Sequence, residues 1–167
     1  AQRARAAAEL QAPLCGSALF VRVARAVVRH ARLVVAELRA LRVLLGFIVV
    51  LEAAQKAYRV YNDVQLKHLY WDRKHKQLTV IDWANSLDFE PSVGKASGGA
   101  SFDKDFDSFR EIVVQIVRSD IGATRAPEYV SAEQTGYAAE TAIVLQGILG
   151  DWSADRAEEN LRRILRT

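Results

Sequence analysis

Tyr61-Asn62-Asp63-Val64-Gln65-Leu66-Lys67-His68-Leu69-Tyr70-Trp71-Asp72, followed by Leu78-Thr79-Val80-Ile81-Asp82-Trp83, is the stretch in which the period of the chain changes. His68–Trp71 and Leu78–Ile81 are short β-branched or aromatic runs, and Arg59-Val60-Tyr61 is a third. Between the two longer runs lies Asp72-Arg73-Lys74-His75-Lys76-Gln77, a polar segment that reads as a hairpin turn. Asp63 precedes the first strand in a loop, and Asp82 ends the second. A tight hairpin fixes both carboxylates without long flexible arms.

Outward from this insert the chain reads as helix. From Ala18 to about Ala57 the apolar spacing is helical and free of proline. Forty residues exceed an ordinary globular helix, so a break is expected near Arg29 to Leu33. The second piece, Leu33 to Ala57, is apolar on most sides through Leu41, Leu44, Leu45, Phe47, Ile48 and Leu51, as suits a helix at the centre of a domain. Downstream, Ser86 to Ser101 with Pro91, Gly94, Gly98 and Gly99 reads as a loop, and Phe102 to Val117 as a helix with Phe106, Phe109, Ile112, Val113 and Ile116 on one side. After a break at Gly122/Pro127, Ser131-Ala132-Glu133-Gln134 has capping-box spacing and opens a helix to about Leu149. Ser153 caps a last helix through Leu165. The expected fold class is mainly α with a small β-hairpin insert.

Composition narrows the function classes. Half of the 167 residues are hydrophobic and 26% are charged, enough to bury one core and too short for two comfortable domains. A single cysteine, Cys15, excludes an internal disulfide framework and any Cys-rich zinc module. The longest uncharged apolar run, Val43 to Leu51, falls well short of the roughly 18 to 20 residues a bilayer requires, so no transmembrane segment is expected and the cytoplasm is the expected compartment. The chain holds no methionine, and the expectation is that it is a piece of something longer.

Charge is uneven: the eight arginines of residues 1–50 face only Glu9 and Glu37, a local +6, against −3 for the remainder. Arg22, Arg25, Arg29 and Arg32 fall on one helical stripe. It reads either as a basic amphipathic helix for a membrane surface or nucleic acid, or as the solvated face of a helix whose Phe20, Val23, Val27 and Val34 pack inward. The second reading is preferred, and nucleic acid is disfavoured because no aromatic residues interleave with the arginines to stack bases.

The order buried helix, Asp-bearing loop, hairpin, Asp resembles the catalytic core of protein-kinase-like phosphotransferases, where a loop H-R-D-x-x-x-x-N precedes a strand ending in D-F-G. Ile81-Asp82-Trp83 looks closer to the aminoglycoside-phosphotransferase branch than to conventional protein kinases. The resemblance covers roughly residues 33–117 and implies that the chain, residues 1–167, is the C-terminal lobe of a protein-kinase-like fold, with Asp63 as the catalytic loop Asp and Asp82 as the metal ligand. One carboxylate orients the acceptor hydroxyl and takes its proton as the γ-phosphoryl leaves ATP; the other holds Mg²⁺ across the phosphates. Asp105 in Asp105-Phe106-Asp107-Ser108 then anchors the catalytic loop, by accepting hydrogen bonds from its backbone. The implied cofactors are ATP and Mg²⁺, or Mn²⁺, and the implied partner is a hydroxyl acceptor.

There are departures from the family pattern. His68 stands where a second metal ligand would be Asn, Gln65 where protein kinases carry Lys, and Tyr61-Asn62 where they carry His-Arg. Imidazole suits Mn²⁺ better than Mg²⁺. No Ala-Pro-Glu follows Asp82, and the short stretch to Asp105 argues against a peptide-docking activation segment. Residues 1–58 hold no strand alternation, no G-x-G-x-x-G and no lysine before Lys56, so the nucleotide-binding residues are expected in an N-terminal lobe upstream. The alternative implied by the departures is a catalytically impaired, pseudokinase-like binding module.

Other features read more simply. Gly94 to Gly99 lacks Walker spacing and reads as a flexible loop. Asp72, Asp103 and Asp107 read as turn formers or caps. Trp71 and Trp83 are expected to wall the site or pack the hairpin.

Overall fold

Alanine, leucine, valine and arginine fill residues 17–45 with no proline or glycine among them, and the computed structural model carries them in one uninterrupted helix, α1, Leu14–Lys56. The structure describes residues 14–121 and 130–166. The break expected near Arg29 to Leu33 does not occur. Good helix formers run straight through it, and length alone does not end a helix. Gly122 and Pro127 lie outside the described residues.

The chain divides into two compact units, residues 1–35 and 36–167. In the first, the described part is the opening of α1. Arg22, Arg25, Arg29 and Arg32 are exposed as expected. Val23, Val27 and Val34 are exposed too, so the inward packing expected of them is not seen. The side chain of Phe20 lies outside the described ones.

The second unit holds the core. Leu41, Leu44, Phe47 and Ile48 of α1 are fully buried against Phe109, Ile112, Val113 and Val117 of α2 (Phe102–Ile121), Val144, Leu145 and Ile148 of α4 (Ala139–Leu149), and Ala157 and Leu161 of α5 (Ala154–Ile164). The apolar face read on α2 is therefore the one it buries. The helix expected from Ser131 to Leu149 is instead two. Ser131 caps the short α3 (Ala132–Thr135) by accepting from Gln134 N, and Gly136 ends it in the left-handed region at φ 70°. Ala138, at the start of α4, has no capping side chain of its own; its N–H donates to the buried Glu37 of α1 at 3.1 Å, which places a carboxylate at the positive helix end. Ser153 caps α5 through Arg156 N.

Arg110 ties α2 to the α4–α5 corner. Its Nε donates to Ile148 O and its Nη2 to Trp152 O, both at 3.0 Å, while Nη1 pairs with Asp107 at 2.6 Å. Asp107 thus serves an ion pair and not a cap, and it is the Ser101 hydroxyl that accepts the Lys104 N–H at the start of α2.

The β insert is larger than a hairpin. β2 (Leu69–Asp72) and β3 (Gln77–Val80) pair antiparallel, with Leu69 opposite Val80 and Asp72 opposite Gln77. Asp72 closes the turn by accepting from Lys74 N and His75 N, as expected of it. The segment expected to be a loop, Ser86 to Ser101, contains two further strands. β4 (Leu87–Glu90) pairs with β1 (Arg59–Val60) and with β5 (Lys95–Ala96), making a small antiparallel sheet ordered β1-β4-β5. Phe89 packs on Phe102 beneath it, ring centres 4.6 Å apart. The molecule is thus mainly helical with a small antiparallel β insert in two sheets. Among the described residues no helix is long and apolar enough to cross a membrane.

Candidate metal centre at the open end of the hairpin

The loop after β1 is built around a reversal of the backbone. Asn62 takes φ 62°, a left-handed conformation that asparagine tolerates better than most residues. The reversal is held from across the fold: the Asp105 carboxylate, near the start of α2 and only 6% exposed, accepts Tyr61 N–H at 2.7 Å and Asn62 N–H at 2.8 Å. Burial pushes the Asp105 carboxyl above its usual range, while the two N–H bonds pull it back down. Asp105 therefore sits where it ties down the backbone just ahead of Asp63.

A short 3₁₀ turn, Leu66–His68, carries the chain into β2 and buries His68, which is 4% exposed. At this same open end of the ladder, Ile81 N donates to His68 O at 3.1 Å, extending the hairpin one step. Asp82 then turns sharply at φ 64° into a second 3₁₀ turn, Trp83–Asn85. The result brings Asp63, His68 and Asp82 together, each offering a ligand atom within 4.8 Å of the others. His68 Nε2 stands 3.3 Å from Asp82 Oδ2, and His68 Nδ1 stands 3.9 Å from Asp63 Oδ2.

The hydrogen-bond network assigns the imidazole tautomer. His68 Nδ1 faces the Asp63 carbonyl oxygen at 3.1 Å and the Tyr61 hydroxyl at 3.4 Å. The Tyr61 hydroxyl already donates to Ile81 O, so it presents only lone pairs to the ring. Every neighbour of Nδ1 named here is an acceptor, which places a proton there, while Nε2 is the nitrogen turned towards the Asp82 carboxylate.

Asp63 is held by two amide side chains whose task the sequence did not reveal. Gln65 Nε2 donates to Oδ1 and Asn85 Nδ2 to Oδ2, the latter at 3.1 Å. Gln65 chiefly, with Asn85, His68 and Lys67, keeps the Asp63 carboxyl below its usual range. Asn85 also receives Asn62 Nδ2 on its carbonyl at 3.3 Å, closing the loop on itself. Tyr61 is fully buried, and burial, followed by the charges of Asp63, Asp82 and Asp105, pushes its hydroxyl up to about 12. Trp83 packs on the Tyr61 ring at 4.5 Å and donates its indole N–H to Val80 O at 3.1 Å. Trp71 lies elsewhere. It lines a groove of about 280 Å³ with Arg39, Val43, Leu66, Leu69 and Ile116, which shares no residue with the trio.

Gly94, Gly98 and Gly99 all have positive φ but lie in and after the β4–β5 turn, not beside Asp63 or Asp82. Tyr61, Gln65 and Asn85 are the working residues whose tasks sequence spacing did not reveal. Their signal is only proximity in the chain to the two aspartates. No protein-family model, curated protein or solved structure matches the chain.

Proposed function

We propose that this chain is the catalytic half of an ATP-dependent phosphotransferase, built like the C-terminal lobe of protein-kinase-like enzymes. The observation that supports it is the convergence of Asp63, His68 and Asp82 at the open end of one hairpin, on a loop tied down by Asp105. A lone Asp at a strand end is a turn former. Two brought together with a buried imidazole between them form a polar centre, and its task has to be explained.

The two carboxylates carry different tasks. Asp63 is ionised and held low by its hydrogen bonds, which makes it a weak base. Such a group orients an acceptor hydroxyl and receives its proton late, as suits the loose transition state of phosphoryl transfer. Asp82 and His68 would hold the divalent cation, and the donor set fits one: a ring nitrogen and a carboxylate oxygen face each other at 3.3 Å. A cation there neutralises charge on the phosphate oxygens. Tyr61 fixes the Ile81 carbonyl and thereby the turn that aims Asp82. The stretch after Asp82 is folded as β4 and β5 against β1, which leaves no long strap to dock a peptide and favours a small hydroxyl acceptor.

The test is titration of ATP with Mg²⁺ or Mn²⁺ into the full-length protein that carries this chain and into its Asp82→Asn variant, read by tryptophan fluorescence, together with transfer of labelled γ-phosphate to hydroxyl acceptors. Saturable binding and transfer that collapse in Asp82→Asn are expected; full activity in that variant overturns the assignment. The second reading, a binding module without turnover, is favoured by one observation: both Asp63 oxygens are already engaged by Gln65 and Asn85. A folded full-length protein that transfers no phosphate decides for it.

A further inference from the structure

We propose that the Asp63–His68–Asp82 centre takes a first-row transition dication, Mn²⁺ in preference to Mg²⁺, with His68 Nε2 as a direct ligand; this rests on reading the trio as a metal centre. The imidazole decides the metal. Mg²⁺ demands near-regular octahedral oxygen and sheds water reluctantly, whereas transition dications accept nitrogen and oxygen together.

Three features of the structure point to Nε2 as a ligand. First, Nδ1 is taken up by the Asp63 carbonyl and the Tyr61 oxygen, so Nε2 is the nitrogen that faces Asp82. A backbone carbonyl holding the far nitrogen of a histidine is the arrangement that orients metal-binding imidazoles. Second, the ring cannot turn away. It is 4% exposed, and His68 is held through its backbone by Gln65 O and by Ile81 N. Third, the donors are spaced for a small ion with open positions. Each of the three residues offers a ligand atom within 4.8 Å of the other two, and Nε2 stands 3.3 Å from Asp82 Oδ2, against the ~4.2 Å that separates opposite ligands at bonds of about 2.1 Å. Asp82 remains 44% exposed along its side chain, so the centre is open to water or a phosphate oxygen on that side. Asn85 and Gln65 each hold one oxygen of Asp63.

The competing occupant of the gap between Nε2 and Asp82 is a proton, which would make an imidazolium–carboxylate pair and leave no ligand.

The experiment is metal binding by the whole chain with Mn²⁺ alone and no nucleotide. Bound Mn²⁺ is followed by electron paramagnetic resonance, Mg²⁺ is added in competition, and the bound ion is examined by electron spin echo modulation for a coupled nitrogen. The expected result is nitrogen coupling from one imidazole, with Mg²⁺ displacing Mn²⁺ only at about tenfold excess or more. In His68→Asn the nitrogen signal disappears and the preference for Mn²⁺ is lost, while binding through the carboxylates persists. Mn²⁺ bound without nitrogen coupling, or displaced by equimolar Mg²⁺, overturns the inference and leaves the metal-centre reading standing. Binding of neither ion overturns both and assigns the gap to a proton. The native-chain arms need no variant, so a His68→Asn chain that fails to fold does not blunt them.

Discussion

The Asp105 carboxylate reaches back 43 positions to accept the backbone N–H of Asn62 at 2.8 Å, at the point where the chain reverses in the left-handed region. One side chain thus sets the approach of the loop that carries Asp63. Asp105→Asn keeps the shape but turns one acceptor into a donor, leaving a buried N–H of Tyr61 or Asn62 facing an NH₂ group. The expected loss is about 1–3 kcal/mol in denaturant unfolding, with metal binding weakened as the loop loosens. Unchanged stability would show that the loop holds its shape unaided.

Tyr61 makes the alkaline limit of the fold. Its hydroxyl ionises at about 12 in the folded chain against 10.0 unfolded, through burial first and the nearby carboxylates second. A raised value means its stability contribution is complete below pH 10 and lost as pH rises towards 12. Tyr61→Phe removes that alkaline slope and, by freeing Ile81 O, costs about 1 kcal/mol at neutral pH. Denaturant midpoints measured from neutral to alkaline pH check both.

Glu52 of α1 and Glu158 of α5 lie side by side, and Glu52 Oε1 is buried with no donor facing it. The hydrogen bond to Glu158, burial and the neighbouring charge push Glu52 up, while the same bond, with help from Arg162, holds Glu158 down. One proton serves the pair. The Glu52 contribution is present in acid and lost as pH rises through its raised value. Glu158→Gln supplies a permanent donor, so it should raise the melting temperature at neutral pH by the equivalent of about 1 kcal/mol, with the gain shrinking in mild acid. A gain independent of pH would refute the shared proton.

Gly147 lets the Trp152 ring lie directly on α4. A Cβ at this position would stand 2.3 Å from Trp152 Cε2, and Arg156 covers the ring from outside at 4.9 Å. Gly147→Ala forces the indole out and costs about 1–3 kcal/mol. Adding Trp152→Leu should recover part of that loss in a thermal melt, a coupling that two independent sites would not show.

The hairpin was legible in the sequence to within a residue at each end, because β-branched and aromatic runs flanking a polar turn leave few alternatives. The buried middle of α1, the inner face of α2 and the cap at Ser153 were legible for the same reason: each is a local pattern. The β4–β5 pair was not. Leu87–Glu90 alternates over only four residues, with Pro91 and Gly94 directly after it, and what makes it a strand is β1, far back in the chain. The split at Gly136 was hidden by a capping box that starts a helix without saying how long it runs. In the site, Asp63, His68 and Asp82 were named from their order along the chain. Gln65 and Asn85 were not given their tasks, because an amide that steadies a carboxylate carries no spacing of its own. The unbroken α1 shows the converse error, in which a rule about typical lengths was set against residues that all favour helix.

The trio sits at one end of the β2–β3 ladder and the Asp72–Gln77 turn at the other, with the pairing of Leu69 to Val80 between. Shape at the working end is therefore set by registration and not by the length of the connection. The tip at Arg73–Lys76 is free to lengthen, shorten or accept a grafted peptide, whereas a single-residue insertion inside either strand would turn His68 or Asp82 to the opposite side and dismantle the centre. The same hairpin thus holds a tolerant end and an intolerant one four residues apart, and that polarity marks where this chain can be labelled, tethered or diversified without touching its chemistry.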